Sequence, residues 1–184
     1  MIFGLDSSTP PSAQRAPALA AKGYSFYCVY IGGNTPYIWR RDQIQWLAGQ
    51  GFSILPIWVA PYGTSDAMTG ASDGADCLLA LQARALSGTV ALDVENGAVP
   101  RDYVLAFVAQ LNNAGYKVCL YGSTDTLSAL GKPDIVDLTW LSYWPSFRST
   151  VPSAPYDWDC WQFAEGAEAD LNVARDDFPF AVLA

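Results

Sequence analysis

One local pattern limits what this chain can fold into. A helix-forming stretch ends in glycine, and a strand-forming stretch follows within one or two residues. It occurs as Ala21-Lys22-Gly23-Tyr24 ahead of residues 25–31, as Gly49-Gln50-Gly51-Phe52 ahead of 53–59, and as Asn113-Ala114-Gly115-Tyr116 ahead of 117–121. A variant, Leu86-Ser87-Gly88-Thr89, precedes 90–95. Glycine closes a helix by taking the left-handed conformation that other residues resist. A strand that starts at once is the short connection of a β/α unit. Four such junctions at spacings of roughly 30 residues predict repeated β/α units and a parallel sheet.

Periodicity places strands at 2–6, 24–31, 52–59, 89–95, 116–121, 138–142, 158–163 and 169–173. Helices are expected at about 12–22, 40–50, 71–87, 99–114 and 124–130, with Pro100 in the first turn of the fourth, where a missing N–H costs little. Residues 143–157 are rich in Pro, Ser and Thr, and no helix is expected there. The expected fold is therefore α/β: a trimmed (β/α) TIM-like barrel of about eight strands and about five full helices, forming one domain over residues 1–184. A complete barrel of this kind needs ~250 residues, so 184 residues imply shortened connections. An open doubly wound sheet is the alternative, and it accounts less well for the last two short strands.

Strand parity says where function sits. In Thr89-Val90-Ala91-Leu92-Asp93-Val94-Glu95, the set Val90, Leu92 and Val94 suits packing under helices, which leaves Ala91, Asp93 and Glu95 on the barrel axis. The same reading turns inward Gly4 and Asp6, Cys28 and Tyr30, Cys119 and Tyr121, and Asp170 and Asn172. A small lower layer (Gly4, Cys28, Ala91, Cys119) would lie under a polar or aromatic upper one. That is what a barrel with its site at the C-terminal ends of its strands requires. Carboxylates converging there repel one another unless they share protons or meet a substrate.

Composition removes whole classes of function. Net charge is −8, which disfavours nucleic acid and anionic membranes as partners and weighs against tight grip on an anionic wall. No apolar run reaches the ~18 residues of a membrane span, and Met1 leads directly into the first strand, without a visible signal peptide. There is no histidine, so triads built on it and most catalytic zinc sites are excluded. The four cysteines (Cys28, Cys77, Cys119, Cys160) lack metal-ligand spacing and read as buried thiols; no disulfide is expected between Cys28 and Cys119. No metal and no cofactor is expected. Acid–base chemistry near neutral pH falls mainly to carboxylates. Seven Trp and ten Tyr offer flat surfaces for neutral ligands such as sugars.

Several motifs, in order, then carry a resemblance over nearly the whole chain. They are Phe3-Gly4-Leu5-Asp6, Leu92-Asp93-Val94-Glu95, Leu120-Tyr121-Gly122-Ser123, Trp140-Leu141-Ser142-Tyr143, Trp161-Gln162-Phe163 and Ala169-Asp170-Leu171-Asn172-Val173. Together they resemble the lysozyme-like family 25 of glycoside hydrolases. The stretches Asp6-Ser7-Ser8-Thr9-Pro10-Pro11, Tyr30-Ile31-Gly32-Gly33 and Leu55-Pro56-Ile57 are still more similar to a glycoside-hydrolase-like relative of largely unknown function. The resemblance implies a trimmed barrel that cleaves the β-1,4 link between N-acetylmuramic acid and N-acetylglucosamine in peptidoglycan, at the cell wall or outside the cell. It matches Glu95 to the general acid, Asp93 to a partner that stabilises the developing positive charge or orients the substrate acetamido group, and Asp6 and Asp170 to flanking acids. Glycoside cleavage does need one protonated carboxyl and one carboxylate.

The sequence reading is thus a glycosidase acting on peptidoglycan or a related amino-sugar glycan, expected as a monomer. Glu95, Asp93, Asp6 and Asp170 are its catalytic set. Tyr30, Trp58, Tyr121, Trp140, Tyr143, Trp161 and Gln162 are its candidate glycan contacts, with Trp144 beside Tyr143. Gly32-Gly33 reads as a turn or as room for a ligand to approach the backbone. A non-catalytic glycan-binding module on the same barrel is the rival reading, and a barrel enzyme holding a divalent cation in its acidic cluster is a third.

Overall fold

A computed structural model describes residues 1–63, 66–95, 99–131, 136–144, 157–166 and 169–183. Eight strands close into a barrel: β1 (Ile2–Asp6), β2 (Tyr24–Gly33), β3 (Ser53–Val59), β5 (Thr89–Asp93), β6 (Lys117–Ser123), β7 (Leu138–Ser142), β8 (Cys160–Ala164) and β9 (Asp170–Ala174). Helices α1 (Arg15–Ala21), α2 (Arg41–Gly49), α3 (Ala67–Ala83), α4 (Arg101–Asn113) and α5 (Thr124–Leu130) sit on connections between β1 and β7. Gly23, Gly51, Gly88 and Gly115 all have φ between 83° and 97°, so the junction motif is built from left-handed turns, as its sequence demands. Most of the stretch 143–157, where no helix was expected, lies outside the described residues.

Two expectations are corrected. The sheet is not wholly parallel. β9 runs antiparallel to both β8 and β1, pairing Asp170 with Asp6 and Asn172 with Gln162. Only five residues separate Ala164 from Asp170, too few for the crossover that a parallel neighbour needs. The third helix also starts earlier than its pattern suggested. Asp66 caps it, accepting the Thr69 N–H at 2.8 Å, and Gly70 and Gly74 lie inside it. These glycines are contact points rather than breakers: a Cβ on Gly70 would stand 2.2 Å from the Tyr103 carbonyl oxygen of α4. The helix then ends at Ala83, and Leu86–Ser87 forms a short strand, β4, paired with β10 (Val182–Leu183).

The core has two parts, as strand parity predicts. Outside the sheet, Val29, Ile31, Val90, Leu92, Val94, Val118 and Leu120 pack beneath the helices with Ile44, Leu47, Leu81, Phe107 and Leu111. Inside it, Phe26, Cys28, Leu55, Ile57, Ala91, Cys119, Trp140 and Cys160 fill the barrel. Gly4 belongs to this filling by absence: a Cβ there would lie 2.4 Å from the Phe26 ring. Phe178 and Phe180, from the segment after β9, pack against the same inner cluster, with Phe180 4.9 Å from Phe26. All four cysteines are buried, and none forms a disulfide.

Candidate active site

The upper end of the barrel carries the acids. Asp6 is the last residue of β1 and Asp93 the last of β5, and Glu95 follows two residues later. Asp170 opens β9, and because that strand runs backwards its first residue stands level with Asp6. Antiparallel closure thus delivers a fourth carboxylate to the same rim.

Hydrogen bonds set the order of these groups. Gln162 is 2% exposed and uses its whole amide. Its Nε2 donates to Asp6 Oδ2 at 2.9 Å and to Asp170 Oδ2 at 3.3 Å. Its Oε1 accepts from Tyr121 O–H at 2.8 Å and from Trp144 Nε1–H at 3.1 Å. Asn172 donates a second bond to Asp6 Oδ2 at 2.7 Å and accepts from Trp140 Nε1–H at 2.9 Å. Tyr121 Oη also lies 3.1 Å from Glu95 Oε2, and Asp93 Oδ1 accepts the Glu95 backbone N–H at 2.9 Å. One network therefore joins Glu95 through Tyr121 and Gln162 to Asp6 and Asp170.

Burial decides the electrostatics. Asp93 is pushed up to about 7, first by desolvation and then by the charges of Glu95 and Asp6, against the lowering effect of the Glu95 N–H. Asp170 rises to about 6, chiefly by desolvation and by Asp6. Asp6 is raised by burial in spite of its two amide donors. Tyr30 is held as a neutral phenol by burial and by the nearby charges of Asp6, Asp93 and Asp170. Glu95 stands exposed at the mouth, above these buried groups.

The aromatic expectations divide. Tyr30 packs against both core clusters beside the acids, and Tyr143 is 38% exposed just beyond β7. Tyr121 and Trp140 do face inward, with rings 4.4 Å apart, but at 7% and 1% exposure they floor the cleft and offer no open face for a sugar. Gln162, expected to bind substrate, has spent its amide on protein partners. Trp58 and Trp161 are placed on the other side of the sheet. Trp58 packs in the outer core, where a Cβ on Gly32 would meet its ring at 2.3 Å, so Gly32 makes room for this indole and not for a ligand. Trp161 packs against Trp158 and Phe163, and its Nε1–H donates to the Tyr143 carbonyl at 2.8 Å. Parity accounts for both: each is one residue out of step with an inward neighbour, Ile57 or Val59 for Trp58 and Cys160 or Gln162 for Trp161.

The exposed rings that sequence reasoning passed over are Tyr37, between β2 and α2, and Tyr62, between β3 and α3. They are 52% and 63% exposed, and Trp144, after β7, is 50% exposed. All three follow C-terminal ends of strands and so belong to the end that carries the acids; a loop aromatic has no periodicity to announce it. Among the described residues, no group of three or more His, Cys, Asp or Glu is arranged to hold a metal ion, and no helix is long and apolar enough to cross a membrane.

This closed mixed barrel of eight strands and five helices shares its fold with solved lysozymes and with a family-25 glycosyl hydrolase. The chain superposes on an uncharacterized protein of B. stearothermophilus with a TM-score of 0.72 at 19% identity, covering 96% of this chain and 97% of that one. It matches the bacterial lysozyme of Streptomyces coelicolor with a TM-score of 0.67 at 18% identity, over 94% and 91% of the two chains. It matches a family-25 glycosyl hydrolase of Streptococcus pneumoniae with a TM-score of 0.68 at 15% identity, over 95% and 87%. Compared by sequence, no family model and no curated protein matches it.

Proposed function

We propose that this chain is a glycoside hydrolase that cleaves the β-1,4 link between N-acetylmuramic acid and N-acetylglucosamine in peptidoglycan, acting at the cell wall or outside the cell. The observation that carries the reading is the pairing of exposed Glu95 with buried Asp93 at the mouth of a lysozyme-type barrel. A carboxyl must reach solvent to touch a glycosidic oxygen, and Glu95 is the most exposed of the four acids, ahead of half-buried Asp170 and buried Asp6 and Asp93, so Glu95 is the acid by position. Asp93 lies beneath it, where burial resists ionisation and keeps a proton on the pair in weakly acidic solution. As the glycosidic bond breaks, Glu95 gives its proton to the leaving oxygen. Asp93, ionised in the microstate in which Glu95 holds the one proton of the pair, then faces the positive charge that develops at the anomeric carbon.

Hydrogen bonding supports the placement of the pair. Gln162 faces acceptors on its nitrogen side and donors on its oxygen side, which fixes its amide orientation. The Tyr121 O–H stands within donating distance of Gln162 Oε1 at 2.8 Å and of Glu95 Oε2 at 3.1 Å, so it tethers the Glu95 carboxyl to the network at the mouth.

The test is reducing-end release from purified peptidoglycan across pH 4 to 8, comparing wild type with Glu95→Gln. Wild-type release is expected to fall by about 100-fold or more in the variant, with the circular dichroism spectrum unchanged. An active Glu95→Gln protein overturns the assignment. Saturable binding of the glycan without release by wild type overturns the enzyme reading in favour of a binding module.

A further inference from the structure

Beside Glu95 an open groove of about 570 Å³ runs between the start of α4 and one face of α5. Val99, Pro100, Ala129 and Leu130 give it aliphatic walls, and Thr126 adds a hydroxyl. Arg101 lines it from α4 and Asp125 from α5, so a cation and an anion are offered along one channel. Arg101 Nη1 donates to the Leu130 carbonyl at 2.6 Å, tying the two helices together and fixing the guanidinium at the groove.

Among the described residues its lining contains no aromatic ring. Tyr37, Tyr62, Tyr143 and Trp144, the rings suited to stacking on sugars, follow β2, β3 and β7 instead. The groove follows β5 and β6. Aliphatic walls with paired opposite charges suit a short peptide with small side chains, a carboxylate and an amine better than a sugar ring. Its volume lies within the usual range of small-ligand sites.

Given a peptidoglycan hydrolase, we infer that this groove binds the peptide attached to the lactyl group of the glycan, while the aromatic rim holds the sugars. Arg101 pairs with a peptide carboxylate, Asp125 pairs with an amine or backbone N–H, and the methyl-sized side chains lie on Ala129 and Leu130. Contact with Glu95 at the groove's inner end couples peptide binding to placement of the scissile bond.

The experiment compares kcat/KM for reducing-end release from peptide-bearing glycan strands and from strands stripped of peptide by an amidase. Wild type is expected to prefer the peptide-bearing strands by about tenfold or more, a difference of ~1.4 kcal/mol. Ala129→Trp, which fills the groove from an exposed position, and Asp125→Asn are each expected to bring that ratio towards one. Equal rates on the two strands, or a ratio untouched by both variants, overturn the groove assignment and leave the glycosidase reading standing. If neither strand is cleaved, the glycosidase reading fails, and calorimetry decides the groove alone. A disaccharide-peptide that binds more tightly than the bare disaccharide, with the gain lost in Ala129→Trp, supports it; equal affinities overturn it.

Discussion

The two sides of the barrel are built differently. From β1 to β6 the outer face is covered by helices, and the strands alternate between inward residues that fill the barrel, such as Cys28, Ala91 and Cys119, and branched outward ones. From β7 to β9 no helix lies among the described residues, and the outer face is covered by rings. Trp161 stands 5.6 Å from Trp158 and 5.8 Å from Phe163, which meets Phe3 edge-on at 6.5 Å. An indole can replace a helix as cover because it brings a large apolar area at a small cost in ordering entropy. The difference shows that an aromatic residue beside a strand has no fixed meaning. On one side of the pleat it is wall, as Trp161 is, and on the other it floors the mouth beneath the acids, as Trp140 does.

Three experiments would break or sharpen this contrast, beginning with the largest effect. Trp161→Ala is expected to cost about 3–5 kcal/mol of stability, because it opens the ring wall where no described helix stands behind it. Trp144→Ala, half exposed on the inner rim, is expected to cost less than about 1 kcal/mol while weakening glycan binding. Urea denaturation and glycan affinity measured on both variants check this, and similar stability losses would erase the distinction between wall and rim.

The second experiment addresses Gln162, where the two sides meet. Gln162→Leu should leave Asp6, Asp170, Tyr121 and Trp144 each short of a partner, lowering stability by about 2 kcal/mol and kcat by more than it changes KM. A change confined to KM would return Gln162 to direct contact with substrate.

The third concerns pH and has the smallest effect. Asp93 rises from 3.8 to about 7 on folding, so between those values the native state binds more protons than the unfolded one. Stability contributed by protonated Asp93 is complete below pH 4 and is lost as pH rises through 7; Asp170 adds the same sign up to about 6. Asp93→Asn keeps an acceptor for the Glu95 N–H and removes the buried charge. Its melting temperature is expected to exceed that of wild type by at least about 2 °C at pH 8, with the gap closing at pH 4. A variant less stable at pH 8 would show that Asp93 is ionised at little cost.

Much of this protein was legible before its structure. The junction glycines announce β/α units, because few other residues tolerate that backbone. Period-two alternation sorts Asp93 and Glu95 from Val94, and Tyr121 from Leu120, because a pleated strand has only two faces. Both are local rules, set by a residue and its near neighbours. What the tertiary structure decided depends on residues far apart in sequence. That β9 runs antiparallel follows from closing the ring across a five-residue connection. That Gln162 supports the site from beneath it depends on Asp6, which lies 156 residues away. That Trp58 belongs to the wall depends on the gap left by Gly32 on the neighbouring strand. Strand alternation can sort side chains into two faces, but only closure of the sheet makes one face an interior and selects which polar groups meet there.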